Sequence, residues 1–300
     1  MATIGFVGLG TMGSRLARRL LDGNTLYGTN RTPAKAANLI AHGMIWRDTP
    51  RQVTEAADIV FSMVTDDAAL RAITTGPDGI LAALGPGKIF VDMSTVGPDT
   101  ADELTEQVEA RGAQMVSAPV TGPVPAAADG SMLIMVGGPS DAVTAIEPLL
   151  YRLGRQVTHV STQFQALVLK LAININLTTQ ILAFSEALLL AERAGIDPVQ
   201  AAYVMTDSAI GSPAMATRAP LAFYLPEHAW FDIDSMSKDL RLACATADNL
   251  GTRMITAAIA SDAIEHAVQR GFGHRDLSGL YASLRAEQLQ PNNHIERMAS

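Results

Sequence analysis

The 300-residue sequence predicts an α/β chain in two parts: a doubly wound parallel domain over residues 1–161, then an all-helical domain over 162–300. Three observations carry that prediction. A short β-rich run, Thr3 to Val7, enters Gly8-Leu9-Gly10-Thr11-Met12-Gly13 and then the helical pattern SRLARRLLDG. Apolar strand-like runs alternate with helical patterns as far as residue 161. Beyond it the strand pattern stops, and Phe164 to Gly195 runs apolar with no Pro and no internal Gly.

The glycine spacing G-x-G-x-x-G, lying between a strand and a helix, is the dinucleotide-binding fingerprint of a Rossmann-type domain. Gly8 permits the tight turn, Gly10 lets backbone approach a pyrophosphate, and Gly13 lets helix and strand pack closely. The loop residues Leu9, Thr11 and Met12 then lie beside unpaired helix N-terminal amides, which attract phosphate. The next strand, Thr25 to Thr29, ends in Asn30-Arg31-Thr32-Pro33. An NAD site usually places Asp or Glu there for the ribose hydroxyls, and this chain has neither. Arg31 is instead suited to a 2′-phosphate, with the Thr32 hydroxyl beside it, so NADP is expected in preference to NAD.

Further strands are expected at Met44–Arg47, Asp58–Val64, Lys88–Met93, Gln114–Val120 and Leu133–Gly137, with helices such as Ala68–Thr75 and Pro98–Ala110 between them. Ligands of such sheets bind beyond the carboxyl ends of the strands. That rule gathers Met63-Val64-Thr65, Ser94-Thr95-Val96 and Thr121-Gly122-Pro123 around one crevice.

The long helix, 162–195, links the parts; its C-terminal cap is Gly195. About thirty helical residues span about 45 Å. Because most faces are apolar, burial all round is expected. Its first half carries a single charge, Lys170, with Asn174 one turn later on the same face. Helices at Pro198–Thr206, Phe231–Leu250 and Thr252–Arg270 follow.

Composition narrows the function classes. With 48% hydrophobic and 17% charged residues the chain has ample core, and a net charge of −8 without a basic run argues against nucleic acid. The single Cys244 excludes an internal disulfide and fits a reducing cytoplasm. Six scattered His show no metal-ligand spacing, so no metal is expected. The N-terminus lacks a basic region ahead of an apolar one, and Glu186 and Glu192 interrupt the best apolar run, so neither a signal peptide nor a membrane span is expected. The four lysines stand among many more arginines. A Lys in this chain is therefore more apt to sit where an amine is needed.

Several separated motifs fall into one order, and the chain resembles the β-hydroxyacid dehydrogenase family. GFVGLGTMG at 5–13, DMSTVGPDTA at 92–101 and SAPVTGPVPAAADGSMLIMVGG at 117–138 look like its cofactor, D-x-S-T-x-x-P and D-A-P-V-S-G-G…G segments. Lys170 to Asn174 resembles K-x-x-N-N, Ser237-Lys238-Asp239-Leu240 resembles K-D-L, and the likeness reaches Asp276-Leu-Ser278. The resemblance implies a helical half of the 6-phosphogluconate dehydrogenase-like kind and an NADP-dependent oxidoreductase of small hydroxyacids or aldehyde acids. It implies that Lys170 is the catalytic lysine and Asn174 its supporting amide, and that Thr95 touches nicotinamide and substrate. Thr121 and Gly122 would hold the substrate carboxylate, Phe231 and Asp239 would close the site, and Lys238 would approach the cofactor. A homodimer or higher homo-oligomer is expected, because the apolar helical half needs cover.

The chemistry agrees with that assignment. Reducing an aldehyde builds charge on its oxygen, and an adjacent ammonium can deliver the proton, the more readily because burial lowers a lysine pKa. The chain also departs from the pattern. Ser117 replaces Asp, Thr121 replaces Ser, and Pro123, which has no N–H, replaces the last Gly. Phe164 and Ala166 replace two glycines before the lysine, and Ile173 replaces the first Asn. Two alternatives remain: an imine reductase of the same architecture, which usually carries Asp or Tyr at the lysine position, and a cofactor-binding module without catalysis.

Overall fold

The computed structural model describes residues 2–289. The chain divides into two compact units, Met1–Ala172 and Ile173–Ser300, and the division falls inside the long helix.

The first unit opens with β1 (Thr3–Val7), α1 (Gly13–Leu21), β2 (Thr25–Thr29), α2 (Ala37–Ala41), β3 (Ile45–Trp46) and α3 (Pro50–Glu55). It continues with β4 (Ile59–Ser62), α4 (Asp67–Thr74), β5 (Ile89–Asp92), α5 (Pro98–Glu109) and β6 (Gln114–Ser117). Then come β7 (Val120–Thr121), α6 (Val124–Asp129), β8 (Met132–Gly137), α7 (Ser140–Leu153) and β9 (Gly154–Val160). The described strands form one sheet in the order β3-β2-β1-β4-β5-β6-β8-β7, with β9 on β8. From β3 to β6 every pairing is parallel. β8 runs antiparallel to both β6 and β7, so β7 points the same way as β6.

Alternation along each strand builds two cores. Phe6, Phe61, Val91 and Val116 belong to one apolar cluster; their neighbours Val7, Val60, Phe90 and Met115 belong to the other. Both faces of the sheet are therefore covered, as the near-continuous apolar strands require. Phe6 and Phe61 stack with centroids 6.2 Å apart on adjacent strands. Helix starts follow local chemistry: the Thr49 and Asp66 side chains accept the amides of Gln52 and Ala69 at the starts of α3 and α4.

Two departures from the sequence expectation stand out. The Gln114–Val120 strand is two strands, because the chain breaks at Ala118-Pro119 before pairing antiparallel with β8. The strand β9 was not expected at all; most of its side chains are exposed and polar, so it lacks the apolar run that marks an inner strand.

The long helix is α8 (Gln163–Arg193), and it ends at a left-handed Gly195 (φ 84°). The Ile196 amide returns to Ala191 O, closing the last turn. Burial all round is not what the chain shows: Ala172, Asn176, Ala183 and Glu186 are exposed, and Leu190 is 74% exposed. By length and composition alone α8 is apolar enough to cross a membrane despite Glu186 and Glu192, a test that a buried core helix also passes. Those two acids lie near its C-terminal end and leave a long window upstream. That window is partly buried within the protein. It also carries buried polar side chains at Lys170, Asn174 and Thr178.

The second unit adds α9 (Pro198–Asp207), α10 (Pro213–Phe223), α11 (Ile233–Asn249), α12 (Ile255–Ala267) and α13 (Leu280–Leu289). Asp197, Ser212 and Asp232 cap α9, α10 and α11 through their side-chain oxygens. Ile181 and Leu182 of α8 pack with Ile233, Met236, Leu240 and Ile264 in its main core. The helix expected over Thr252–Arg270 is α12 followed by a wide turn over Val268–Phe272, broken by left-handed Gly271. The helix expected from Phe231 starts at Ile233, because residues 231–234 hydrogen-bond back to residues 273–277.

Candidate active site

In the first unit, the candidate residues collect at the carboxyl ends of β1, β2, β4, β5 and β7, which point to one edge of the sheet. The strand order reverses between β1 and β4, so the loops after these two strands diverge and leave a crevice. Gly8 is left-handed (φ 95°), and a Cβ on it would collide with Met63 O. A Cβ on Gly13 would collide with Gly8 O, so the loop can close onto α1 only with these glycines. Gly10 differs: a Cβ there would meet nothing within 4 Å. The middle of the loop thus faces open space beside the first turn of α1, a cradle that fits a pyrophosphate.

Asn30 sets that loop from the next strand. Its Oδ1 accepts the Leu9 amide at 3.0 Å, and its Nδ2 donates to Thr32 O at 3.0 Å. Leu9 N–H is thereby committed within the protein, which leaves the amides further along the loop to face a ligand. Arg31 and Thr32 are exposed at the tip of β2, and the sequence from Thr29 to Lys35 carries no acidic residue.

Sequence reasoning passed over the group that ties the remaining loops together. Asp92, 1% exposed, accepts Ser62 Oγ at 2.6 Å and Ser94 Oγ at 2.7 Å; Ser94 Oγ in turn accepts the Val64 amide at 2.9 Å. The Met63-Val64 turn and the Ser94-Thr95 turn therefore hang from one buried carboxylate. Asp67 Oδ1 adds a bond to the Gly97 amide at 2.8 Å. The signal was present in the sequence, as an acid ending an apolar strand that reads as buried on both faces. Ser117 sits beside Asp92 in register on β6, and its buried Oγ has no hydrogen-bond partner among the described residues. Thr121 is half-buried, Gly122 is exposed, and Pro123 precedes α6 without an N–H to offer. Lys170 lies on α8 within the same unit and is 8% exposed.

Asn174, one turn after Lys170 on α8, falls in the second unit and is 2% exposed. Its Nδ2 donates to Asp239 Oδ2 at 2.6 Å, and the Lys238 ammonium lies 2.8 Å from Oδ1 of the same carboxylate. The second unit thus brings together three predicted residues: Asn174, Lys238 and Asp239. Asp239 is buried and Lys238 half-buried, so the pair is largely desolvated on the carboxylate side. Phe231, half-buried, lies two residues before α11. Among the described residues no cluster of His, Cys, Asp and Glu is arranged to hold a metal.

Comparison with known proteins matches residues 3–161 to the NAD-binding domain of 6-phosphogluconate dehydrogenase, and residues 165–284 to the NAD-binding domain of NADP-dependent 3-hydroxyisobutyrate dehydrogenase. The chain belongs to the β-hydroxyacid dehydrogenase family. As a β-hydroxyacid dehydrogenase it is similar to the 2-hydroxy-3-oxopropionate reductase of Escherichia coli, with 32% identity over 94% of this chain and 96% of the relative. It is also similar to a solved Mycobacterium tuberculosis 3-hydroxyisobutyrate dehydrogenase with L-serine, at TM-score 0.84 and 27% identity, covering 95% of this chain and 99% of that one. Psf3 in complex with NADP+ and 2-OPP superposes at TM-score 0.86 and 27% identity, covering 94% and 99%. The family confirms the fold expected from the sequence and makes this chain an NAD(P)-dependent oxidoreductase.

Proposed function

We propose that the chain is a cytoplasmic, NADPH-dependent reductase of a small aldehyde acid, semialdehyde or glyoxylate-like, acting reversibly on the corresponding hydroxyacid. The observation that carries the reading is the register of α8, which sets a buried amine, Lys170, one turn before a buried amide, Asn174, fixed by Asp239. NADPH bound along the Gly8–Gly13 loop would supply the hydride. Lys170 donates the proton to the carbonyl oxygen and removes it in the reverse direction. At 8% exposure the Lys170 residue is largely withdrawn from bulk water. Asn174 orients without adding charge, because its own Nδ2 is held by the Asp239 carboxylate.

Gly8, Leu9, Gly10, Thr11 and Met12 would cradle the pyrophosphate, with Asn30 bracing the loop. Arg31 and Thr32 would take the 2′-phosphate, and Met63, Val64, Thr95 and Lys238 would bound the rest of the cofactor. Thr95, Thr121 and Gly122 would bind substrate, joined by Phe231 and Asp239. With Pro123 lacking an N–H, the carboxylate site has fewer donors, which suits a substrate held by hydroxyl contacts as well. The test is a panel of glyoxylate, succinic semialdehyde, tartronate semialdehyde and cyclic imines with both nicotinamides. Turnover of the aldehyde acids with NADPH is the expected result. Faster reduction of cyclic imines, or tight NADPH binding without turnover on any carbonyl, would overturn it.

A homodimer is part of this reading. Leu190, Tyr203, Val204 and Ile210 are each more than half exposed on the helical unit, an apolar surface that a second copy would cover. Light scattering should return about twice the chain mass, and Tyr203→Asp should lower it.

A further inference from the structure

The second unit contains a buried ion pair that the proposed chemistry does not use. Arg218 of α10 is 9% exposed, and its Nη1 donates to Asp276 Oδ1 at 2.9 Å; Asp276 is 1% exposed. Burial pushes the guanidinium down from its ordinary range, and Asp276 opposes that shift. A buried pair of this kind is weak evidence for stability, since desolvation offsets much of the attraction. Its other bonds show what it does. Asp276 Oδ2 accepts the backbone amides of Trp230 at 2.9 Å and Phe231 at 3.3 Å, and Oδ1 also accepts the Ser278 amide at 3.0 Å.

These bonds belong to a short antiparallel stitch. Asp232 and Asp276 form a β-bridge; Leu277 N–H donates to Phe231 O, Ile233 N–H to Arg275 O and Asp234 N–H to Gly273 O. Asp232 in turn caps α11, the helix that carries Lys238 and Asp239 and so the bond to Asn174. One carboxylate therefore fixes the backbone of Phe231 and the start of α11 together.

Resting on the reading that Phe231 and Asp239 serve the substrate, we infer that Asp276 is a positioning residue for substrate binding, with Arg218 as the counter-ion that lets it stay charged while buried. Both carboxylate oxygens are in use as acceptors. Asparagine offers one oxygen and one NH2, so Asp276→Asn must turn a donor toward either Arg218 and Ser278 N–H or the two loop amides. It keeps the shape and breaks one half of the clamp. Arg218→Lys keeps a cation and leaves the loop amides bonded, and serves as the conservative control.

The experiment combines steady-state kinetics on glyoxylate and succinic semialdehyde with hydrogen exchange of the full-length protein. Asp276→Asn should raise KM for both carbonyls by on the order of tenfold or more, a larger change than in either kcat or the NADPH Kd. Arg218→Lys should stay near the wild-type KM. In the wild-type protein the amides of Trp230 and Phe231 should exchange slowly, and in Asp276→Asn they should exchange fast. Should Asp276→Asn not fold, slow wild-type exchange at 230 and 231 together with the Arg218→Lys kinetics still bears on the clamp. Fast wild-type exchange, an unchanged KM in Asp276→Asn, or a loss confined to kcat would overturn it. Should no carbonyl be turned over at all, the proposed function fails, while the exchange data still decide whether the clamp exists.

Discussion

The two units hold their buried polar groups by different means. In the first, one carboxylate, Asp92, gathers the hydroxyls of Ser62 and Ser94, and Ser94 Oγ in turn accepts the Val64 amide. In the second, carboxylates meet cations: Asp276 with Arg218, and Asp239 with Lys238. Short hydroxyl side chains suit strand ends, where parallel register already brings Ser62, Asp92 and Ser117 into line. Helices give no such register, and segments distant in sequence such as α10 and residue 276 are joined by a charge-assisted bond, which is shorter and stronger than a neutral one.

Substitutions test this contrast. Lys170→Ala should have the largest effect, lowering kcat by about 10²–10⁴-fold while NADPH still binds; stopped-flow hydride transfer and fluorescence titration measure the two separately. Arg31→Asp should follow, weakening NADPH against NADH by about 1.5–3 kcal/mol in isothermal titration. Equal weakening of both nicotinamides would remove the 2′-phosphate role.

How far the sequence reached follows from range. The Rossmann half was readable because its signals are local: alternate apolar residues on β1, β4, β5 and β6, and glycines at fixed offsets. The polar edge strand β9 and the proline-bearing helix α10 escaped because β9 lacks an apolar run and Pro220 sits inside α10. Leu190 escaped too, since a helix apolar on every face does not say which face its own chain covers. For the candidate site, Lys170 was visible as an isolated charge and its one-turn offset from Asn174 followed from helical period. Asp239 as the partner of Asn174, 65 residues away, and Asp276 as that of Arg218 had no local signature.

Asn174→Ala removes the neutral member of the charged group in the helical unit. It leaves Asp239 Oδ2 without that donor and should cost about 1–3 kcal/mol in urea unfolding. The smallest expected effect is at Tyr281, whose hydroxyl donates to Glu192 Oε2 at 2.9 Å. Burial and the neighbouring Glu192 carboxylate push the phenol up to about 12. The folded chain therefore keeps a proton that the unfolded chain loses near pH 10. The contact contributes below about pH 10 and is lost as pH rises toward 12, so Tyr281→Phe should flatten the alkaline limb of the stability curve.

The borders of the sheet have a consequence for assembly. One border, β3, is only Ile45–Trp46; the other, β9, presents Arg155, Gln156, Thr158 and His159 to solvent. A two-residue strand offers too few open amides to template another chain, and charged or polar side chains along the opposite rim resist one. Ribbon-like growth from either border is thereby discouraged, and crowding this protein should favour discrete particles over fibres.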